Sequence, residues 1–463
     1  MITIATEGPE PRRPRRVRRT RQRKFFVNFA IVVFVVVCGF LTSEVAAQQL
    51  RLSLAEAQDR AVAASHRLAE ARARAATAEA AVAVRQAADR PIVGLGAGYT
   101  RTNHVAEFAF PGPDGVPRIL YPDAPNNYRT RLDLQWPIYN GGRSDALERA
   151  VQAEASAAAA DVAAAQADLR LEVARAFWAL VTARAAGAVL DRSLARARAN
   201  VGDVRERLKA GLVPPNEVAS AEALESRQRM LLIETRNQGD QSSAELARLI
   251  GEDVLEGIEP AADLELEAPT TASMQRLVAD ARSTREERRA LELRIEAAEQ
   301  QVAAAEGTRR PSVAITGGFD YARPNPHIFP RADRWDDSWD AGFSATWALW
   351  DGGRARAEAA QARTLADAAR QRLAEFDSVV SLEVRLRLLD IDSGRAAVAA
   401  ADDAVRAATE ARRVVTERYR AGVAIQTDVL DADVGLLQAE LDRTRAIAGV
   451  RLAEARLARA LGR

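Results

Sequence analysis

The chain has 463 residues and is 48% hydrophobic but only 5% aromatic, with a formal net charge of +1. That length admits two or three ordinary domains, but alanine dominates the apolar set and Arg and Glu the charged one. Such a composition argues for long helices packed side by side rather than a large globular core. The near-neutral balance gives no electrostatic reason to expect nucleic-acid binding.

Residues 12–24 carry nine basic side chains, and an apolar run, Phe25 to Leu41, follows at once. Ser43-Glu44-Val45-Ala46-Ala47 then offers small residues, so residues 1–47 have the three parts of a secretory signal peptide. An uncleaved anchor is the alternative, because the run is near the lower limit for spanning a bilayer. Nine basic and three acidic groups leave with the signal, taking the net charge from +1 to −5. The single cysteine, Cys38, leaves too, so the exported chain has no thiol. Val37 before it is not the small residue a lipidation motif needs.

The chain is internally duplicated. Trp136-Pro137-Ile138-Tyr139-Asn140-Gly141-Gly142-Arg143 recurs as Trp347-Ala348-Leu349-Trp350-Asp351-Gly352-Gly353-Arg354, an offset of 211. Glu206-Arg207-Leu208-Lys209-Ala210-Gly211 recurs as Glu417-Arg418-Tyr419-Arg420-Ala421-Gly422 at the same offset, as do two shorter matches. Upstream, Pro91 aligns with Pro311 at an offset of 220. The spacing assigns residues 48–251 to a first structural repeat, 252–270 to a linker and 271–463 to a second.

Each repeat opens with a predicted helix, about Leu52–Ala88 and then about Thr271–Gly307. A strand with alternating apolar side chains follows: Val93, Leu95, Ala97 and Tyr99, or Val313, Ile315, Phe319 and Tyr321. After a proline-rich loop a second alternating strand returns, through Tyr128, Leu132, Leu134, Trp136 and Ile138, or Trp339, Phe343, Trp347 and Leu349. A Gly-Gly pair ends it, and no proline then interrupts the chain from Ile138 to Val213 or after Pro330. Ser144–Ala210 is therefore predicted as one helix, roughly 100 Å long, stopping at Gly211. A partner helix spans about Asn216–Ile250, and in the second repeat the stop is Gly422, with the last helix from about Thr427.

Ten residues is the length of a tilted membrane β-strand. Four such strands cannot close a barrel, and open edges are not tolerated in lipid. Closure needs several chains, and three would supply twelve strands around a water-filled lumen. Tyr128, Trp136, Tyr139, Trp339, Trp347 and Trp350, near strand ends, are candidates for interfacial aromatic girdles.

The order of these features resembles the TolC-type outer-membrane efflux protein family, nearly end to end after the leader. The residues that carry the likeness are the duplication, the strands ending in Tyr139-Asn140-Gly141-Gly142 and Trp350-Asp351-Gly352-Gly353, and the Arg-x-x-Ala-Gly turns. The resemblance implies a mainly α fold with membrane β: a homotrimer whose 12-stranded β-barrel in the outer membrane continues into an α-helical barrel through the periplasm. It also implies a passive exit duct of a tripartite efflux pump or type I secretion system, docked to a periplasmic adaptor and an inner-membrane transporter of RND or ABC type.

The segment Gly422–Ala432 matches the family's periplasmic gate. Asp428 and Asp431, three residues apart, share one side of a helix start, and three-fold repetition would stack carboxylate rings that favour cations. The alternative is a helix N-terminal carboxylate favoured by the dipole. Tyr419 matches a position that locks the closed state, whereas the arginine that some members carry four residues before the first gate aspartate is Ala424 here. Glu217 and Ser220 stand in the first repeat where Asp428 and Asp431 stand in the second. Gly211-Leu212 and Gly422-Val423 resemble the adaptor-docking turns.

No catalytic, cofactor or metal residue is assigned. The three histidines, His66, His104 and His327, show no ligand spacing. Gly94-Leu95-Gly96-Ala97-Gly98 lies within a strand rather than before a helix, which suits a barrel wall better than a phosphate loop. A periplasmic coiled-coil adaptor or scaffold without a pore is the second hypothesis, disfavoured by the paired ten-residue strands. An exported enzyme would need a globular domain that the pattern lacks.

Overall fold

The computed structural model describes residues 50–255, 257–266 and 273–463. The expected signal peptide, residues 1–47 with Cys38, lies outside the described residues, as do Thr271 and part of the expected linker.

Elements follow in the order β1 (Leu50–Leu52), α1 (Leu54–Ala64), α2 (His66–Ala87), β2 (Ile92–Arg101), β3 (Phe108–Pro111), β4 (Pro117–Tyr121), β5 (Asn126–Asn140), α3 (Arg143–Lys209) and α4 (Pro215–Ile250). Then come β6 (Ile258–Pro260), α5 (Met274–Thr284), α6 (Glu286–Gly307), β7 (Ser312–Arg323), β8 (Asp336–Thr346), α7 (Arg354–Arg420) and α8 (Gln426–Ala460). The two longest helices, α3 and α7, each have 67 residues. Both start behind a pair of glycines with positive φ, Gly141-Gly142 and Gly352-Gly353. Glycine tolerates that conformation where other residues are strained.

Two features depart from the sequence-based expectations. The first helix of each repeat is broken, at Ser65 and at Arg285, both in extended conformation. Neither position carries glycine or proline. The breaks lie beside Gly251 and Gly462, just past the C-terminal ends of α4 and α8. A Cβ on Gly251 would meet Ala64 Cβ at 2.5 Å, and one on Gly462 would meet the Thr284 carbonyl oxygen at 2.9 Å. The chain at the end of each returning helix therefore lies close beside the break, and Ser65 recaps α2 by accepting a hydrogen bond from Leu68 N at 3.2 Å. The proline-rich stretch after β2 is likewise more ordered than expected, because Phe108–Pro111 and Pro117–Tyr121 pair as a small hairpin.

Helix α3 is the spine. Its first half packs on α2 and α6, and its second half on α4 and α8. Alanine sets the close approach: Ala157 and Ala160 of α3 meet Ala290 of α6 in a fully buried layer. Larger side chains take over further along, where Val189, Leu190 and Leu194 pack on Leu232 and Leu437. Helix α7 packs on α5, α6 and α8, with Val380, Val384 and Ile391 against Leu277, Ala453 and Leu457.

The four long strands form one antiparallel sheet in the order β2-β5-β7-β8. Register puts Val93 opposite Leu134, Leu95 opposite Leu132, Leu132 opposite Phe319, and Phe319 opposite Trp339. One face is thus apolar across all four strands. The other carries Gly94, Gly96 and Gly98 beside Asp133, Arg131 and Arg129, then Gly318 and Asp320, then Asp340. Pro137 sits at a bulge in β5, past the end of β2, where its missing N–H costs no ladder bond. β8 stops at Thr346, opposite the first residue of β7, so Trp347 to Trp350 lie beyond the strand that sequence alternation extended through Leu349. Among the described residues of one chain the sheet is open, and β2 and β8 are unpaired edges.

Candidate gate and membrane surface

The periplasmic gate candidates lie at the tips of the two helical hairpins. Helix α3 ends in a Schellman turn: Leu212 N donates to Arg207 O at 2.9 Å and Gly211 N to Leu208 O at 2.9 Å, with Gly211 at φ 71°. The second tip repeats it, Val423 N donating to Arg418 O at 2.8 Å and Gly422 N to Tyr419 O at 3.1 Å. These turns leave Leu212 and Val423 projecting, 72% and 67% exposed.

Tyr419, at the end of α7, is 9% exposed, and the Arg207 guanidinium of the first tip lies 4.4 Å from its ring centroid. The two hairpin tips of one chain are therefore joined by a cation–π contact. Burial pushes the Tyr419 hydroxyl above its usual range; Arg207 opposes that shift, and Glu217 and Asp203 add to it. Among the described residues that hydroxyl has no hydrogen-bond partner, and neither does the buried Oε2 of Glu217.

Asp428 and Asp431 are both exposed, on the first two turns of α8. Asp428 Oδ2 accepts a hydrogen bond from Ile425 N at 3.2 Å, so this carboxylate also caps the helix. Glu217, its counterpart in the first repeat, instead lies half-buried near Tyr419. Sequence reading missed two neighbours here. Asp433, 4% exposed, accepts a hydrogen bond from Arg412 Nε at 2.5 Å and rivets α8 to α7, and Arg207 reaches Tyr419 across the repeat boundary. The offset of 211 pairs Arg207 with Arg418, so no periodicity could have matched it to Tyr419.

The aromatic candidates fall in two groups, at the two ends of the sheet. Tyr128 lies at the loop end, in a cluster with Tyr99, Tyr321 and Trp335: the Trp335 ring stacks on Tyr321 at 5.0 Å and lies 5.9 Å from Tyr128. Trp339 lies further in, opposite Phe319 and level with Leu132. Trp136, Tyr139, Trp347 and Trp350 lie at the helix end, and Trp347 Nε1 donates to Arg309 O at 3.0 Å. All six are exposed, Trp350 most of all at 89%. Trp335, in a loop, was missed because no strand alternation points to it.

The β7–β8 hairpin does bring together one group that sequence spacing hides. The ligand-capable atoms of Asp320, His327 and Asp340 lie within 4.8 Å of one another. Asp320 is already committed, with both carboxylate oxygens bonded to Arg129 and Arg131. Two guanidiniums in contact are the opposite of what a cation site needs.

The outer membrane efflux protein family model matches residues 45–252 and 277–463. The chain belongs to that family. It is an outer-membrane exit duct, and its helices extend into the periplasm. Family and fold are those of channels rather than enzymes. Protein CyaE of Bordetella pertussis is 29% identical over 406 residues, which is 84% of this chain and 79% of that protein. Among solved structures, the outer membrane protein VceC of Vibrio cholerae superposes with a TM-score of 0.73 at 22% identity, covering 88% of this chain and 96% of its own. The open state of the MtrE outer membrane channel of Neisseria gonorrhoeae gives 0.72 at 20% identity, with 88% of each chain covered. At these identities the likeness is one of fold.

Proposed function

We propose that the duct is a homotrimer in which three four-stranded sheets close a 12-stranded β-barrel, continued by the long helices as an α-helical barrel. The observation that carries this reading is the sheet itself. One face is exposed and apolar on every strand, and both edges, β2 and β8, are unpaired. Lipid tolerates the first and not the second. Edge-to-edge closure with further copies satisfies the backbone without any other chain. The polar face then lines the lumen, and the two aromatic bands lie at the two interfaces with outer-membrane lipid.

In this reading residues 1–47 are removed on export, and the repeats 48–251 and 271–463, joined by 252–270, contribute one hairpin tip each to the periplasmic end. Asp428 and Asp431 form the charged neck, Tyr419 with Arg207 holds it narrow, and Gly211-Leu212 with Gly422-Val423 receive a periplasmic adaptor that links the duct to an inner-membrane RND or ABC transporter. The two exposed carboxylates, one turn apart beside exposed apolar tips, support this placement. No cofactor takes part. A pore-free periplasmic adaptor would leave Val93, Leu95, Trp339 and Phe343 in water, each more than half exposed.

Membrane extraction followed by mass measurement tests the reading. The duct resists high salt, needs detergent and has the mass of three chains. Release by salt as a single chain would exclude it.

A further inference from the structure

We propose that a collar of charged side chains on the polar face of the sheet sets the ion selectivity of the barrel segment, as a second filter separate from the periplasmic neck. The proposal rests on the barrel reading above, which makes that face the lumen wall.

The collar spans three strands. Asp320 of β7 is 1% exposed even in the single chain. Arg129 of β5 grips it with two hydrogen bonds, at 2.5 Å from Nε and 3.0 Å from Nη2. Arg131 of β5 also binds Asp320, reaches Asp133 on its own strand at 2.6 Å, and pairs with Asp340 of β8 at 3.0 Å. Every terminal nitrogen of Arg131 thus has an acidic partner. Charge-assisted contacts of this kind fix a planar guanidinium in one orientation.

Glycine makes that orientation available. Asp133 pairs across the sheet with Gly94 and Gly318, and Arg131 with Gly96. A Cβ on Gly318 would meet the Arg131 Cζ at 2.5 Å. Arg131 therefore lies flat over Gly318 instead of standing into the lumen. The glycine run in β2, unexplained as a phosphate loop, has a counterpart role: it leaves the wall beside Arg129 and Arg131 free of side chains.

Three carboxylates against two guanidiniums leave the collar at −1 per chain. The sign favours cations, and closure by three copies repeats it around the lumen.

The test is the reversal potential of single channels in a KCl gradient, in a background carrying Asp428→Ala and Asp431→Ala so that the neck does not dominate. Asp320→Asn takes the collar from −1 to 0 per chain and lowers the K⁺/Cl⁻ permeability ratio several-fold, since a unit charge about 8 Å away through water shifts cation and anion each by roughly two-fold in opposite senses. Arg131→Gln takes it to −2 and raises the ratio by a similar factor. Asp340→Asn, at an exposed position, repeats the first shift should Asp320→Asn fail to assemble. Gly318→Leu forces Arg131 off the wall and lowers conductance together with the ratio. Shifts of opposite sign for the aspartate and arginine variants establish the collar. Conducting channels with unchanged ratios, or with both variants shifted the same way, overturn it and leave the duct intact. Pores absent from every variant, the background included, would take down the barrel reading and the collar with it.

Discussion

Arg207, in the last turn of α3, holds its guanidinium 4.4 Å from the ring centroid of Tyr419, in the last turn of α7. A tip of the first repeat is thereby tied to a tip of the second within one chain. If the proposed gate opens by separating the two helical hairpins at their tips, this contact opposes opening. Arg207→Ala removes about 0.5–1 kcal/mol per chain and raises the open-to-closed ratio about two- to five-fold for each chain that moves, and more than ten-fold when three move together. Tyr419→Phe keeps the ring and deletes a buried hydroxyl with no partner, so it leaves the ratio nearly unchanged. Opening frequency in planar bilayers checks both. Equal effects of the two substitutions would count against the contact as the restraint.

Asp428→Ala with Asp431→Ala weakens cation selectivity and abolishes block by divalent ions added from the periplasmic side. Asp431→Ala alone has the cleaner effect, since Asp428 also caps α8 through Ile425 N. Divalent block titrated on the single and double variants separates the roles. A double variant that blocks as wild type does removes the neck from these residues.

The two glycine pairs before the longest helices differ in a measurable way. Gly141 and Gly352 have φ of 73° and 69°, so alanine at either costs about 1–2 kcal/mol of backbone strain. Around Gly352 the space is open, whereas a Cβ on Gly141 collides with the Gly307 carbonyl and lies 2.8 Å from Arg310 Cβ. Gly141→Ala therefore lowers the unfolding temperature in detergent well below that of Gly352→Ala. Equal losses would mean that the clash relaxes without cost.

Glu287 of α6 accepts hydrogen bonds from Arg459 of α8 at 2.5 Å and from Arg285 at 3.2 Å, and Arg459 also holds Asp168 of α3. Burial pushes the Glu287 carboxyl up, but the two arginines outweigh it and hold it below the ordinary value of 4.5. A depressed carboxylate contributes stability above its unfolded pKa and loses it as pH falls through the folded one. Glu287→Gln accordingly costs about 1–3 kcal/mol at neutral pH. The gap from wild type closes as pH falls below the ordinary carboxylate value. Denaturation followed from pH 7 downward measures it, and a gap that widens in acid would reverse the sign.

Much of this architecture is legible in the sequence because it is written twice. The turn glycines Gly211 and Gly422, and the Gly-Gly pairs, mark helix ends through local conformational need, which a single chain position reveals. The breaks at Ser65 and Arg285 are not legible. Both follow good helix-forming sequence, and the close approach of Gly251 and Gly462 beside them comes from residues far along the chain. The exposure of Asp428 and Asp431 follows from their spacing. Arg207 on Tyr419, and Arg131 on Asp320 and Asp340, exist only once the repeats and strands have docked. Charge partners set by tertiary register leave no period to read.

The most direct test of the central claim is the single-channel conductance of the detergent-purified protein in a planar bilayer. The duct should give discrete cation-selective openings, blocked by divalent ions from one side and more frequent when Arg207→Ala is combined with Asp428→Ala and Asp431→Ala. A membrane that stays silent with wild type and with that triple variant alike would contradict it.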